Sequence, residues 1–287
     1  MTPDPITTIA ALRGAVAGAR RAGPVGLVPT MGALHAGHAS LIDRARQECA
    51  TVVVSIFVNP IQFDRPEDLE RYPRSLETDA AICAAHGVDL IFAPSVEEMY
   101  PAPLECHVDV GRLADHLCGR FRPGHFKGVA TVVLKLFQIA QADRAYFGEK
   151  DAQQLAIVRR MVTDFSIPIV IVGVATVREG DGLALSSRNQ RLNAEERQLA
   201  PALYRALQRV KSDVASGVDD PETLKRSAAR EIPNDNRLKL EYLEIVDPRD
   251  FQPVARVTGP IVAAGALWVG ATRLIDNVAC APGTRRV

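Results

Sequence analysis

The chain has 287 residues, 34 basic and 34 acidic side chains, 47% hydrophobic and 5% aromatic residues, and five cysteines. Such a length holds one large or two modest domains with a sizeable core, which excludes a fold that depends on disulfide staples. Zero formal charge offers no global field for nucleic acid or an anionic membrane, so an anionic ligand is expected to be small and locally held.

The N-terminal run Met1-Thr2-Pro3-Asp4-Pro5 lacks a basic segment leading into an apolar one, and no uncharged apolar run approaches the ~18 residues needed to span a bilayer. Cys49, Cys83, Cys106, Cys118 and Cys280 are scattered without a C-x-x-C pair, which suits a reducing compartment. A cytoplasmic protein is expected.

Taken in order, Val25–Pro29, Thr51–Val58, Val88–Ala93, Arg144–Phe147 and Ile169–Val177 are short, β-branched apolar runs bounded by turn residues. Continuous rather than alternating hydrophobicity predicts strands buried on both faces. Between them, residues 38–49, 76–87, 128–141 and 151–165 have helical spacing. Val129, Val132, Val133, Leu136 and Ile139 make one apolar stripe that suits either core or interface. The Ala-rich stretch 9–22 reflects helix propensity. The alternation predicts an α/β fold, a Rossmann-like open parallel sheet. Beyond about residue 178 the order becomes helical (194–217, 220–231) and then strand-like (Lys239–Val246, Ile261–Leu267, Thr272–Ala279), a smaller C-terminal α+β domain. The expected domains are residues 1–178 and 179–287, with the boundary in Thr176–Asp181.

Four clusters carry chemistry. In Val28–His38 a strand runs into a Gly-containing turn, and His35 and His38 open a helix at the carboxyl edge, where ligands bind. The free N–H groups of a helix start favour an anion, and two imidazoles one turn apart add donors. Two histidines near a loop could also be incidental; without a carboxylate beside them they make a poor metal site. Phe147–Gln154 again leads from strand to helix. Lys150 there is a point charge for phosphate, Asp151 could accept a hydrogen bond from a hydroxyl or help hold a metal, and Gln154 lies one turn on, though a solvated turn fits as well. Leu185-Ser186-Ser187-Arg188 offers hydroxyls and a guanidinium fork for phosphoryl oxygens. In Phe57–Phe63, Asn59 and Gln62 could orient a polar substrate or cap a turn. No G-x-G-x-x-G or Walker lysine loop is present, so the common dinucleotide and P-loop readings fail.

Together these clusters resemble the pantothenate synthetase (pantoate–β-alanine ligase) family of the nucleotidylyltransferase superfamily, over most of the chain. PTMGALHAGH carries the H-x-G-H signature. FVNPIQF, YPRS at 72–75, RPGHFKGVATVV at 122–133, YFGEKDAQQL at 146–155, VREGDGLALSSRN at 177–189 and TRLIDN at 272–277 follow in the family's order. The resemblance implies an ATP site lined by Met31, Gly32, Ala33, Leu34, His35, Ala36, Gly37 and His38, with His38 as the catalytic histidine and His35 beside it. Gly148, Glu149, Lys150, Asp151, Val177, Leu185, Ser186, Ser187 and Arg188 would complete it. Lys150, Ser186, Ser187 and Arg188 share the catalytic work, and 185–188 stand where related synthetases carry a phosphate loop. Gln62 and Gln154 would hold pantoate, Gln62 also lying near β-alanine, and Asn59, Tyr72 and His125 match positions near the substrate pocket. Leu185 replaces a usual Met, Ala36 a usual Glu and Ala152 a usual Tyr; none removes a charge or donor assigned to chemistry.

The implied reaction is attack of pantoate on the α-phosphorus of ATP, giving pantoyl adenylate and pyrophosphate, followed by displacement of AMP by β-alanine. Mg²⁺ would arrive on ATP's phosphates, with no metal site of the protein's own. The resemblance also implies a homodimer; the charge balance and the lack of an apolar span speak against a nucleic-acid or membrane partner, and the place of Leu185–Arg188 just past the boundary points to a C-terminal domain acting as a lid. Two other readings differ in their products: a nucleotidylyltransferase acting on a phosphate substrate, and a nucleotide-binding regulator without turnover.

Overall fold

The computed structural model describes residues 3–283; Met1 and Thr2 of the N-terminal run, and residues 284–287, lie outside the described residues. Within them, six strands form one parallel sheet: β1 (Pro5–Ile6), β2 (Val25–Thr30), β3 (Thr51–Ile56), β4 (Leu90–Phe92), β5 (Arg144–Gly148) and β6 (Val170–Val174). Their spatial order is β1-β4-β3-β2-β5-β6. From β2 the chain builds outward through β3 and β4 on one side, then returns to place β5 and β6 on the other. The order therefore reverses between β2 and β5, and at such a reversal the connections leaving the carboxyl ends diverge and open a crevice. β2 ends immediately before Met31–His38, and β5 immediately before Glu149.

The expected runs all contain strands: β2 and β5 extend one residue past them, to Thr30 and Gly148, and β3, β4 and β6 are shorter than their runs. β2 and β3, in the middle of the sheet, are buried almost along their whole length. β6 departs from the expectation of burial on both faces, because it is an edge strand, and Val170 is 54% exposed. The two-residue β1 is too short to leave a periodic signal. Helices Ala36–Glu48, Leu76–Ala85, His125–Ala140 and Ala152–Asp164 occupy the intervals read as helical, and Ile9–Ala19 is a helix capped by Thr8. In His125–Ala140 the whole stripe from Val129 to Ile139 is buried, as are Phe126, Phe137 and Ala140, so the stretch is core.

The chain divides into two compact units. The first comprises residues 1–110, 122–149 and 157–175, and the second comprises 111–121, 150–156 and 176–287. The change at 175/176 lies near the boundary read from sequence, but the second unit also takes in two earlier segments that a single cut at 178 assigns to the first. Hydrogen bonds within the second unit account for them: Asn277 Nδ2 donates to Lys150 O at 2.8 Å, and Gln153 Nε2 donates to Leu113 O and His116 O, each at 2.8 Å.

The remainder of the second unit is an antiparallel sheet of β7 (Leu238–Val246), β8 (Ile261–Val269) and β9 (Thr272–Cys280), packed against helices Ala202–Ala215 and Pro221–Ala229. Leu203, Leu207, Leu224, Ile245, Leu267 and Leu274 form much of its core. The expected helix 194–217 is two helices, Ala194–Leu199 and Ala202–Ala215. Pro201 separates them, because it lacks the N–H that the earlier helix would need and disfavours helical geometry at the residue before it. Alternation along β9 buries Thr272, Leu274, Asp276, Val278 and Cys280, which places one carboxylate on the apolar face.

Candidate functional site

In the first unit, the turn after β2 is held by directed hydrogen bonds. Gly32 has φ +81°, and a Cβ there would lie 2.8 Å from Asp79 Oδ2, so the position requires glycine. Ala33 also takes a left-handed conformation, φ 51°, at a cost of about 1–2 kcal/mol for a residue with a Cβ. The strain is held by Asp79, 1% exposed, which accepts Ala33 N–H at 3.0 Å on one oxygen and Leu34 N–H at 2.7 Å on the other. Thr30 Oγ1 accepts Gly32 N–H at 3.2 Å and donates to Ser55 O at 2.7 Å, which ties the turn to β3.

His35 is the N-cap of helix Ala36–Glu48, and the three-residue spacing of the histidines is the spacing of a reciprocal cap. Gly37 N–H donates to His35 Nδ1 at 3.1 Å, and His35 N–H donates to His38 Nδ1 at 3.3 Å. The ring centroids lie 4.2 Å apart. Each Nδ1 is an acceptor, so in the neutral ring the proton sits on Nε2, and both imidazoles are donors through that atom. This refines the expectation that backbone N–H groups at this helix start serve an anion. Ala33, Leu34 and Gly37 give theirs to Asp79 and His35.

The same unit holds the amide cluster. Gln62 and Asn59 are 8% and 1% exposed, and Asn59 Nδ2 donates to Gln62 Oε1 at 2.9 Å and to Gly128 O at 3.2 Å. Gln62 Nε2 contacts Met31 Sδ at 3.1 Å, which joins the amide cluster to the start of the turn. His125 Nδ1 lies 2.8 Å from Gln62 O, and Arg122 Nη1 lies 3.1 Å from His125 Nε2. Arg122 also donates to Asp64 at 2.9 Å. Burial would raise the Asp64 carboxyl, but the Arg122 charge and hydrogen bond outweigh it and hold the group below the usual range. Tyr72 is buried against the edge of Phe63, with ring centroids 5.8 Å apart.

In the second unit, Lys150 and Asp151 belong to the 3₁₀ turn Glu149–Asp151, with Lys150 Nζ 4.0 Å from Asp151 Oδ1. Gln154, half-buried, follows in helix Ala152–Asp164 beside the buried Gln153. Residues 177–185 fold back on themselves: Leu185 N–H donates to Val177 O at 3.0 Å, and Arg178 bridges Ala184 antiparallel. Ser186 caps the 3₁₀ turn Ser187–Arg191, its Oγ accepting Arg188 N–H at 3.3 Å, so Leu185, Ser186, Ser187 and Arg188 sit half-buried on a capped corner. Arg178 anchors that fold-back with a bidentate pair to Asp276, at 2.6 and 2.9 Å, and its guanidinium lies 4.2 Å from the Tyr204 ring centroid. Asp276 and Asn277 adjoin on β9. One holds the fold-back and the other holds Lys150 O.

Within the first unit, then, Met31 at the start of the turn meets Gln62 and Asn59, and within the second, β9 ties Lys150 through Asn277 and the 177–185 fold-back through Asp276. Asp79, Tyr100, Arg178, Gln153 and Asp276 were not singled out from sequence. Asp79 lies in the first turn of helix Leu76–Ala85 after Glu77 and Thr78, where an acidic residue is ordinary, so no local signal marks it as a buried acceptor; Asp276 alternates in register with the buried face of β9. All five cysteines are free, and only Cys106 is exposed. Burial pushes the Cys83 thiol up to about 12 and Cys280 to about 11, which leaves both as protonated core side chains. Among the described residues, no group of three or more His, Cys, Asp or Glu could hold a metal ion, and no helix is long and apolar enough to cross a membrane.

Comparison with known proteins adds relatives along nearly the whole chain. A sequence model of the family described as Pantoate-beta-alanine ligase matches residues 4–279. A pantothenate synthetase of Moorella thermoacetica is 50% identical over 274 residues, which cover 95% of this chain and 97% of that protein. A bifunctional pantoate ligase/cytidylate kinase of Thermosynechococcus vestitus is 53% identical over 95% of this chain, which spans only 54% of that longer protein. The crystal structure of the pantothenate synthetase of Thermus thermophilus has a TM-score of 0.90 at 47% identity, covering 95% of this chain and 98% of that one. A pantoate-beta-alanine ligase of Francisella tularensis, solved with beta-gamma ATP and beta-alanine, has a TM-score of 0.80 at 36% identity, covering 96% and 97%.

Proposed function

Because the chain belongs to the pantoate–β-alanine ligase family, we propose that it joins pantoate to β-alanine through a pantoyl-adenylate, consuming ATP and releasing AMP and pyrophosphate. A carboxylate is a poor acylating agent. Its oxygen first attacks the α-phosphorus of ATP; the bond to the β-phosphoryl oxygen breaks, and pyrophosphate leaves with the electron pair. The amine of β-alanine then attacks the acyl carbon and loses a proton, and the bond to AMP breaks.

Both steps demand positioning and charge stabilisation rather than a covalent nucleophile. The observation that carries the reading is the tautomer set by the reciprocal cap, which makes His35 and His38 donors through Nε2 at the carboxyl end of β2. In this reading those donors meet the negative charge that develops on the phosphoryl oxygens. Lys150 and Arg188 neutralise the phosphates and the Ser186 and Ser187 hydroxyls donate to them, Met31 to Ala36, Gly148, Asp151, Val177 and Leu185 line the nucleotide, and Gln62 and Gln154 hold pantoate. Mg²⁺ would arrive on ATP's phosphates, with oxygen ligands mainly from the nucleotide and water, so that the substrate would be MgATP.

An assay for AMP with ATP, pantoate and β-alanine, each omitted in turn, tests the reading. AMP should require all three, and AMP release without β-alanine would overturn it. His38→Ala should slow pantoate-dependent ATP–pyrophosphate exchange by about 10²–10³, the usual cost of one transition-state donor; exchange at the wild-type rate would remove His38 from the chemistry. A cytoplasmic homodimer completes the proposal. The free thiols suit a reducing compartment, and sedimentation velocity reads the assembly.

A further inference from the structure

Tyr100 belongs to none of the motifs and follows the short helix Val96–Met99. Its hydroxyl donates to Asn59 Oδ1 at 2.7 Å. We propose that Tyr100 is a positioning residue for pantoate: acting through Asn59, it fixes the Gln62 amide so that the donor end, Nε2, faces the substrate. This rests on the reading of Gln62 as a pantoate contact.

The polarity of the chain is anchored at a backbone atom. Gly128 O can only accept, so the Asn59 atom 3.2 Å from it must be Nδ2. That fixes Asn59 Oδ1 on the opposite side, toward Tyr100, and an acceptor there requires the phenol to donate. Burial helps keep the phenol protonated, since its pKa is pushed well above the ordinary value. The second proton of Asn59 Nδ2 then goes to Gln62, 2.9 Å away, and only Oε1 can receive it. Gln62 is thereby committed: its acceptor is used inside the protein, and its Nε2 faces the thioether of Met31, a weak acceptor that a hydroxyl or carboxylate oxygen displaces.

The backbone of Gln62 is fixed independently of this relay. His125 Nδ1 meets Gln62 O at 2.8 Å, and helix His125–Ala140 approaches the turn so closely that a Cβ on Gly128 would lie 2.3 Å from Ile61 O. A flipped amide at Gln62 would oppose Oε1 to an anionic carboxylate and leave two donors, its own Nε2 and Asn59 Nδ2, facing each other in a buried site. Tyr100 closes the relay at its far end. Its ring packs beside Phe57, centroids 6.0 Å apart, and Lys135 Nζ lies 5.2 Å from its centroid, so Tyr100→Phe removes the hydroxyl and keeps the packing.

The test is a double-mutant cycle of Tyr100→Phe and Gln62→Ala, reading kcat/KM for pantoate and KM for ATP in pantoate-dependent ATP–pyrophosphate exchange. Tyr100→Phe should lower kcat/KM for pantoate about tenfold, the value of one buried hydrogen bond at the upper end of its range, with KM for ATP within about twofold of wild type. In the Gln62→Ala background the same change should have no further effect, since a residue that acts through Gln62 has nothing left to orient. Equal losses in both backgrounds, or no loss from Tyr100→Phe alone, would overturn the relay while leaving Gln62 as a pantoate contact. If Gln62→Ala itself leaves kcat/KM for pantoate unchanged, the underlying site assignment fails, and the relay with it.

Discussion

The turn at 31–38 and the fold-back at 177–188 belong to different units and share one proposed task, yet they are held by different physics. In the turn, the hydrogen bonds run from backbone N–H groups to fixed acceptors, Asp79 and two imidazoles, and Gly32, Ala33 and Leu34 are buried. The fold-back is fastened by guanidinium groups: Arg178 on Asp276, and Arg197 on Glu179 and Asp181, each of the latter at 2.6 Å. Short bonds to backbone fix a conformation residue by residue and are insensitive to ionic strength. Ion pairs fix one segment against another, and their worth depends on how far each is withdrawn from water.

The largest expected effect comes from the most withdrawn of these pairs. Arg178 and Asp276 side chains are 19% and 5% exposed, so Arg178→Met leaves a carboxylate on the buried face of β9 without its partner. Urea unfolding should show a loss of about 3–5 kcal/mol, the usual cost of removing one partner of a buried pair. A near-zero change would show that the fold-back does not depend on this charge.

Asp79→Asn makes the corresponding cut in the turn. The side chain keeps its shape, but one carboxyl oxygen becomes an NH₂, so either Ala33 or Leu34 N–H loses its acceptor in a buried site. The expected cost is about 1–3 kcal/mol in urea unfolding, with ATP–pyrophosphate exchange reduced as well and the loss independent of salt. A loss that shrinks with added salt would mean that Asp79 is reached by screening ions, as the exposed latches are.

This contrast also decides what could be read in advance. The β-branched runs and the stripe from Val129 to Ile139 announce the parallel sheet and a buried helix, because burial imposes a period on every residue of an element. The His35–His38 spacing marks a strand-to-helix corner, although the tautomer depends on backbone geometry that no spacing reveals. Asp79 and Gly32 are 47 residues apart and Arg178 and Asp276 98 apart, so their pairings arise only once the chain has folded. Gln153 shows the same limit. It lies next to a predicted pantoate contact, yet its amide ties the chain to Leu113 and His116, carbonyls about 40 residues earlier. The break at Pro201 is different in kind, since proline within a helical pattern is a local signal.

The smallest effect belongs to Arg197, and it separates exposed from buried latches. Its side chain is 31% exposed and those of Glu179 and Asp181 are 35% and 43%, so solvent screens the pairs, and Arg197→Ala should cost about 0–1 kcal/mol at neutral pH and low salt. The hydrogen bond from Arg197 is the main reason that the Asp181 carboxyl lies below its ordinary value of 3.8, against the opposing effect of burial, the next largest cause. A carboxyl whose folded pKa is depressed contributes its full stability above the unfolded value and loses it as pH falls through the folded one. The gap between wild type and Arg197→Ala should therefore be constant from neutral pH down toward 4, close as the pH falls below 3.8, and close at neutral pH in ~1 M salt. The Arg178→Met gap should persist in the same salt, because Asp276 is withdrawn from the ions that screen Asp181. If both gaps closed together, burial would not be what distinguishes the two latches, and the fold-back would be held by one exposed network of charge.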